Sequence, residues 1–424
     1  MATIHVIGAG MSGLACAVRC ATQGHSVALY EAAPRGGGRC RSFMDEGLGC
    51  VIDNGSHMLL GANRNTIDYL DTIGSRASVT EIRPAAFPFR DTRSGVQWTL
   101  KPGSPFLPLW LFDAKRRVPG STPRDYLKAF RLMRADKSAT VAGCIGANDP
   151  MMETFWQPLC EAALNTDARE ASARLLWKAL SLSFFKGEPA CRPMIFNHGL
   201  GTALVDPAIR LLESKGAIVR FQARLRGLRW QDDAVLALRF PEGLLRVAMD
   251  DAVVLAVPPD ICAELWPDIK PPQETRPIVN IHFRLDTPVT LPGGMPFLGL
   301  IGTDAQWLFT RGNILSVTIS AATGHVDRPN WELANHIWDE ITRILDRNMG
   351  RLPPWRVIKE RRATIAQTPK NVALRPGPTT MLNNLFIAGD WTDTGLPATI
   401  EGSIRSGYIA AGHAIAAVTK TRRD

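Results

Sequence analysis

The chain has 424 residues, 45% of them apolar and 21% charged, with a formal charge of +9 and a pI of about 9.3. Such a composition is ordinary for a globular protein with an ample core, in one large or two intertwined domains, and no repeat or low-complexity tract interrupts it. No stretch reaches the roughly 18 uninterrupted apolar residues of a membrane span.

Ile4-His5-Val6-Ile7 is apolar and β-branched, as a buried parallel strand is. Gly8-Ala9-Gly10-Met11-Ser12-Gly13 follows, and Leu14 to Thr22 is Ala-rich and helical in pattern. Strand, Gly-X-Gly-X-X-Gly and helix together form the dinucleotide-binding fingerprint in its required context. Gly8 permits the tight turn, Gly10 lets the backbone approach a pyrophosphate, and Gly13 lets helix pack against strand. The helix N-terminus, at Met11 and Ser12, offers free N–H groups and partial positive charge to phosphates. A second strand, Ser26 to Tyr30, ends at Glu31, roughly 20 residues after the glycines, where a carboxylate accepts from ribose hydroxyls. Glu31 would repel a 2′-phosphate, which leaves FAD or NAD.

The run Arg35 to Ser42 sets three glycines among arginines, a flexible positive loop beside the pyrophosphate. Val51-Ile52-Asp53 reads as a strand, Asn54-Gly55-Ser56-His57 as a polar turn, and 64–74 as a short helix. From about 80 to 190 the texture becomes that of a mostly helical insertion. Prolines 84, 88, 102, 105, 108, 119 and 123 break its first part, and 124–135 and 151–186 have helical spacing. Within it, the apolar run Phe106 to Phe112 precedes Lys115-Arg116-Arg117.

Residues 197–258 return to α/β texture: a helix to about Lys215, a strand at Gly216–Arg220, hairpin-like strands, then Ala252 to Val257 stopped by Pro258-Pro259. Residues 277–320 alternate like antiparallel strands, and 330–349 form an amphipathic helix. Leu385-Phe386-Ile387-Ala388 is a buried strand ending in Gly389-Asp390, and Ala398 to Ser403 leads a helix reaching Ala417. The predicted fold class is α/β: a Rossmann-like domain assembled from the discontinuous segments 1–78, 193–262 and 376–424, with an inserted α+β substrate domain from 79–192 and 263–375.

The eight cysteines (16, 20, 40, 50, 144, 160, 191, 262) show no Cys-X-X-Cys pair and no metal-ligand spacing, so they read as reduced, mostly buried thiols and no metal site is expected. The first core strand begins within four residues of Met1, leaving no room for a cleavable signal peptide and giving a cytoplasmic expectation. No basic helix or aromatic–basic motif points to nucleic acid. The basic balance suits anionic lipid or an anionic ligand.

Gly8 to Gly13, Glu31, Gly37-Gly38-Arg39 with Ser42, Asp53 with Gly55, Val253 to Pro258 and Leu385 to Gly407 together resemble the FAD-dependent amine oxidase and desaturase superfamily. The resemblance implies FAD. Gly8, Gly10, Met11, Ser12, Gly13 and Glu31 would hold its ADP half, Gly38 and Arg39 would lie by the pyrophosphate or flavin, and Asp53, Gly55 and Ser56 would be flavin-proximal. Gly389 and Asp390 would serve the ribityl-phosphate region, and Thr399 and Ile400 would begin a helix aimed at the flavin N1/O2 edge, where reduced flavin collects negative charge.

Within that superfamily, Phe155-Trp156-Gln157-Pro158-Leu159-Cys160-Glu161-Ala162-Ala163-Leu164-Asn165-Thr166 and Asp53 to Ala62 resemble the hydroxysqualene dehydroxylases, also called squalene-associated FAD-dependent desaturases. That family usually has Gln where this chain has Ser56. The implied activity is removal of a hydroxyl from hydroxysqualene by reduced FAD, in squalene and hopanoid synthesis. Amine oxidases place an aromatic residue shortly before the position of Glu401-Gly402; Leu396-Pro397-Ala398-Thr399-Ile400 has none, which suits a hydrocarbon better than an ammonium. No second Gly-X-Gly-X-X-Gly occurs, so electrons must come from an external donor, NAD(P)H or a reductase.

His57 and Asp393 are the candidate acids for the departing hydroxyl, with a structural hydrogen-bonding role for His57 as the alternative. The run 106–112 with its cations could dip into lipid as a peripheral contact, or pack in the core. A polyprenoid desaturase, an amine oxidase and a non-enzymatic lipid-binding protein are the competing readings.

Overall fold

The computed structural model describes residues 2–104, 109–345 and 349–420. A five-stranded parallel sheet runs in the order 218–220, 26–30, 3–7, 252–255 and 385–387. Strands far apart in sequence thus become neighbours, as the discontinuous Rossmann-like assembly requires.

Alternation along each strand sends side chains to two different layers. Ile4, Val6, Val27, Leu29 and Val254 pack under the helices Met11–Thr22, Asp206–Ser214 and Ile400–Lys420. Ile7, Ala28, Val253, Leu255 and Ile387 face a three-stranded antiparallel sheet (227–246) and the helix Pro259–Leu265. Burial on both faces explains why these strands read as nearly unbroken apolar runs.

A seven-stranded sheet forms the second unit, in the order 355–365, 275–284, 314–319, 307–311, 297–301, 87–91 and 97–100. One face carries the helix Asn330–Ile344 through Leu333, Ile337 and Ile341. The other packs Phe87 and Phe297 against the helical region containing Trp110, Leu132, Trp156 and Leu176.

Several expected boundaries differ. The stretch after residue 79 is not mainly helical at first: Phe87–Asp91 and Gln97–Leu100 are strands, and the former pairs in parallel with 297–301. Pro88 obscures that strand's alternation in the sequence. The helical stretch 151–186 breaks at Asn165, whose φ is 48°, and resumes at Ala173. Residues 124–135 form two short helices, Pro123–Leu127 and Ala129–Met133, and the amphipathic helix ends at Ile344. In the apolar run, residues 106–108 lie outside the described residues; Trp110 and Leu111 are buried while Leu109 and Phe112 are exposed.

Two close approaches set the geometry around the first helix. A Cβ on Gly13 would fall 1.8 Å from the Gly8 carbonyl oxygen, and one on Gly407 would fall 2.2 Å from that of Ser12. No side chain larger than hydrogen fits at either position.

Candidate active site

Gly8 turns at φ +103°, and the Gly10–Gly13 backbone then opens the first helix. No side chain caps that helix and no acidic residue lies in its first turn. A Cβ at Gly10 would meet nothing within 4 Å, so its approach side is open. Uncapped N–H groups at a helix start are the donor set a pyrophosphate needs. Glu31 closes the turn from behind: Ala9 N donates to its Oε2 at 2.7 Å and Ala33 N to its Oε1 at 2.8 Å. Each oxygen keeps a lone pair for a ribose hydroxyl.

The glycine–arginine loop leans on this turn, with Gly37 N donating to Ala9 O at 2.7 Å. It delivers Arg39, whose Nη2 donates to Asp390 Oδ1 at 2.7 Å and whose Nη1 donates to Ala363 O. The Asp390 charge holds the Arg39 guanidinium above its ordinary pKa against a smaller, opposing desolvation. Gly389 N donates to Ser406 Oγ at 2.9 Å, tying the last strand to the C-terminal helix. Thr399 Oγ1 accepts from Gly402 N at 3.2 Å and caps that helix.

Asp53 is buried and engaged by the protein itself. Its Oδ1 accepts from Ser42 Oγ (2.5 Å) and Leu200 N (2.9 Å), and its Oδ2 from Arg311 Nη1 (2.6 Å). Gly55 packs on Asn280 so closely that a Cβ would lie 2.7 Å from Asn280 Nδ2. Asn280 Nδ2 also donates to Asn54 O at 3.3 Å, while Asn54 Oδ1 is buried without a partner. The turn carrying Ser56 and His57 is therefore held against the substrate-domain sheet. The His57 ring is exposed, yet burial lowers its pKa, with Asp53 raising and Arg39 lowering it. Asp393 is exposed, and its Oδ1 accepts from Gly395 N at 3.1 Å within a turn.

Sequence reasoning missed the residues that shape the far wall. The buried Arg375 guanidinium donates to the carbonyls of Asp390 (3.0 Å), Thr392 (3.0 Å) and Leu396 (2.7 Å). Gln367, fully buried, accepts from Ala398 N at 2.8 Å and donates to Leu164 O at 2.7 Å, joining this wall to the helical region. Asn165 continues that joint, accepting from Ala321 N (2.6 Å) and donating to Thr364 Oγ1 (3.0 Å). Single polar residues between apolar runs carry no periodic signal, so nothing in the pattern marks them. Leu396, Ala398 and Ile400 are buried aliphatic side chains, Ala398 in the core on one face of the parallel sheet and Ile400 in the core on the other.

The flavin-containing amine oxidoreductase family model matches residues 11–415. Hydroxysqualene dehydroxylase of Rhodopseudomonas palustris is 47% identical over 98% of this chain and 99% of its own length. That of Sinorhizobium fredii is 43% identical, over 97% and 98%. This chain belongs to the hydroxysqualene dehydroxylase family. Like other members of the wider flavin family, it is a flavin-dependent oxidoreductase. The fold also matches cyclohexylamine oxidase of Brevibacterium oxydans at a TM-score of 0.71 and 16% identity over the whole of both chains, which is a likeness of fold.

Two other features stand apart from the residues expected at the flavin. A cleft of about 370 Å³ is lined by Phe89, Trp307, Gln157, Glu161 and His325, with none of those residues in its lining. Asp304, His336 and Glu340 bring ligand atoms within 4.8 Å of one another, and His325 Nε2 lies 3.1 Å from Asp304 Oδ2. The sequence offers only the i,i+4 spacing of His336 and Glu340 as a hint of this cluster. Among the described residues, no helix is long and apolar enough to cross a membrane.

Proposed function

We propose that the chain is an FAD-dependent dehydroxylase that converts hydroxysqualene to squalene. The observation that carries this reading is the near-full-length similarity to two hydroxysqualene dehydroxylases. The stretch Leu396 to Ile400 supports it, since it holds no aromatic side chain to cage an ammonium.

In the net reaction the substrate's C–O bond breaks, the hydroxyl takes a proton and leaves as water, and a C–H bond forms at the same carbon. Reduced FAD, when bound, supplies the hydride. Gly8, Gly10, Met11, Ser12 and Gly13 bind the pyrophosphate through backbone N–H groups, and Glu31 takes the adenosine ribose. Gly38 and Arg39, paired with Asp390 beside Gly389, hold the middle of the cofactor. The helix starting at Thr399 and Ile400 directs its N-terminal N–H groups at the ring edge that gathers negative charge. Asp53 acts as a fastener for the Gly55–Ser56–His57 turn, since both its oxygens are engaged by protein donors.

His57 is the hydrogen-bond donor to the departing hydroxyl. Burial lowers its pKa, so the imidazolium is the minor form at pH 7, and that form passes on the proton that completes the water. Asp393, exposed in the turn before Gly395, is the second candidate. The apolar surroundings keep water from the electron-poor carbon. Electrons enter from NAD(P)H or a reductase, and the protein sits peripherally on the cytoplasmic face of the membrane.

The stretch Leu396 to Ile400 also suits a polyprenoid desaturase working on oxidised flavin. Flavin spectra separate the two readings. Hydroxysqualene bleaching of the reduced-flavin spectrum, with oxidised flavin appearing, supports dehydroxylation; reduction of oxidised flavin by a polyene precursor supports desaturation instead.

A further inference from the structure

We propose that the helical face carrying Phe112, Leu127, Phe130, Met133 and Phe185 docks on an anionic phospholipid bilayer. The isoprenoid reading supplies the purpose of this contact, while the contact itself rests on the surface chemistry.

Large apolar side chains on this face point outward. Phe112 is 71% exposed, Leu109 66%, Leu127 54%, Met133 46%, Phe130 41% and Phe185 36%. The segments that carry them adjoin one another. Trp110 packs edge-on against Tyr126 at 5.7 Å, next to Leu127, and Phe130 meets Phe185 at 5.3 Å and Trp177 at 6.1 Å. Trp110, Leu132 and Leu176 already fill the layer beneath. The outer side chains therefore have no further core to enter, and contiguous exposed apolar surface of this kind marks a contact site.

Charge decides the occupant. Lys115, Arg124, Arg134 and Lys186 are exposed within the same segments, and none makes an ion pair among the described residues. Apolar side chains bordered by unpaired cations match the boundary between acyl chains and anionic headgroups. A second copy fits poorly, because a two-fold interface would set these cations against one another. The face also leads inward. Met58 and Leu60, which follow His57, pack in the same apolar cluster as Trp110 and Leu111. A hydrocarbon leaving the bilayer would meet apolar side chains along that direction.

The test is co-sedimentation of the flavin-loaded protein with vesicles of phosphatidylglycerol and phosphatidylcholine, against phosphatidylcholine alone. The wild type is expected to bind the anionic vesicles. A Phe112→Ser, Leu127→Ser variant should lose about tenfold or more in partitioning. A Lys115→Glu, Arg134→Glu variant should lose binding to anionic vesicles, and salt should weaken the wild type in the same sense. Should a variant misfold, brominated lipid gives a second reading on the unmodified protein: tryptophan fluorescence is quenched if the face around Trp110 and Trp177 is seated in lipid. No binding by the wild type, equal binding by both variants, or no quenching of bound protein would overturn the proposal. A dimer that Phe112→Ser, Leu127→Ser dissociates, without vesicle binding, would assign the face to self-association and overturn it too. Turnover of detergent-dispersed hydroxysqualene is scored separately, so failure of the dehydroxylase reading stays distinct from failure of docking.

Discussion

Arg39 Nη2 donates to Asp390 Oδ1 across 2.7 Å, joining two loops 351 residues apart. One loop leans on the glycine turn and the other ends the last parallel strand. The pair therefore fixes how the two ends of the chain face each other. Arg39 is partly exposed, so the pair's direct worth to stability is modest, on the order of 1 kcal/mol. Its larger effect is on cofactor affinity. Arg39→Ala should lower FAD affinity at least tenfold with a small change in melting temperature, as read by flavin titration beside thermal denaturation. Unchanged affinity would remove Arg39 from the cofactor site.

Arg375 should behave in the opposite way. Its guanidinium is buried and satisfies the carbonyls of Asp390, Thr392 and Leu396. Arg375→Met would leave these acceptors unpaired, costing about 2–4 kcal/mol. Chemical denaturation measures the loss, and the purified variant should carry little flavin. A variant as stable as the wild type would contradict the clamp.

Gly407 tests the crossing of the first and last helices. A methyl at this position would press on the Ser12 carbonyl, in the first turn of the helix proposed to face the pyrophosphate. Gly407→Ala should destabilise by about 1–3 kcal/mol and weaken FAD binding, whereas Gly412→Ala, where a Cβ meets nothing, should do neither.

Two buried groups should oppose each other as pH changes. Burial pushes the Glu161 carboxyl up to about 7, so the folded state holds its proton more tightly than the unfolded chain. Stability from this source is present below about pH 4.5 and is lost as pH rises to about 7, on the order of 3 kcal/mol. Burial pushes His282 down to about 4, so its contribution is present above about pH 6.5 and lost as pH falls to about 4, by a similar amount. Between these limits the two contributions slope in opposite directions. Glu161→Gln should gain on the wild type as pH rises, and His282→Gln as pH falls. Parallel profiles for all three proteins would contradict this assignment.

The parallel sheet was legible because its strands are buried on both faces and its turns need glycine. Gly8 and Gly13 announce their geometry, since no other residue suits a φ of +103° or a Cβ 1.8 Å from a carbonyl. The strand 87–91 was not legible, because Pro88 interrupts its alternation and its partner, 297–301, lies some 200 residues away in the chain. Arg375 and Gln367 were invisible for a different reason. Their function is to satisfy backbone groups at distant loops, and such pairing exists only after folding. The glycine turn is thus readable in the sequence, while the buried ties made by Arg375 and Gln367 emerge only from tertiary contacts.

His57 is the reactive-site residue most open to direct challenge. His57→Ala with reduced FAD should slow single-turnover squalene formation by about 10²-fold or more, and His57→Gln, which keeps an N–H donor, should recover part of it. Wild-type rates in His57→Ala would exclude His57 and leave Asp393.

The central claim is a two-electron reduction of hydroxysqualene by the flavin-loaded protein. Anaerobic mixing of the fully reduced enzyme with one equivalent of hydroxysqualene tests it most directly, with flavin absorbance and extracted product followed together. One squalene should form per flavin reoxidised, at matching rates. Reoxidation without squalene, or no reoxidation while a polyene precursor reduces the oxidised enzyme, would contradict it.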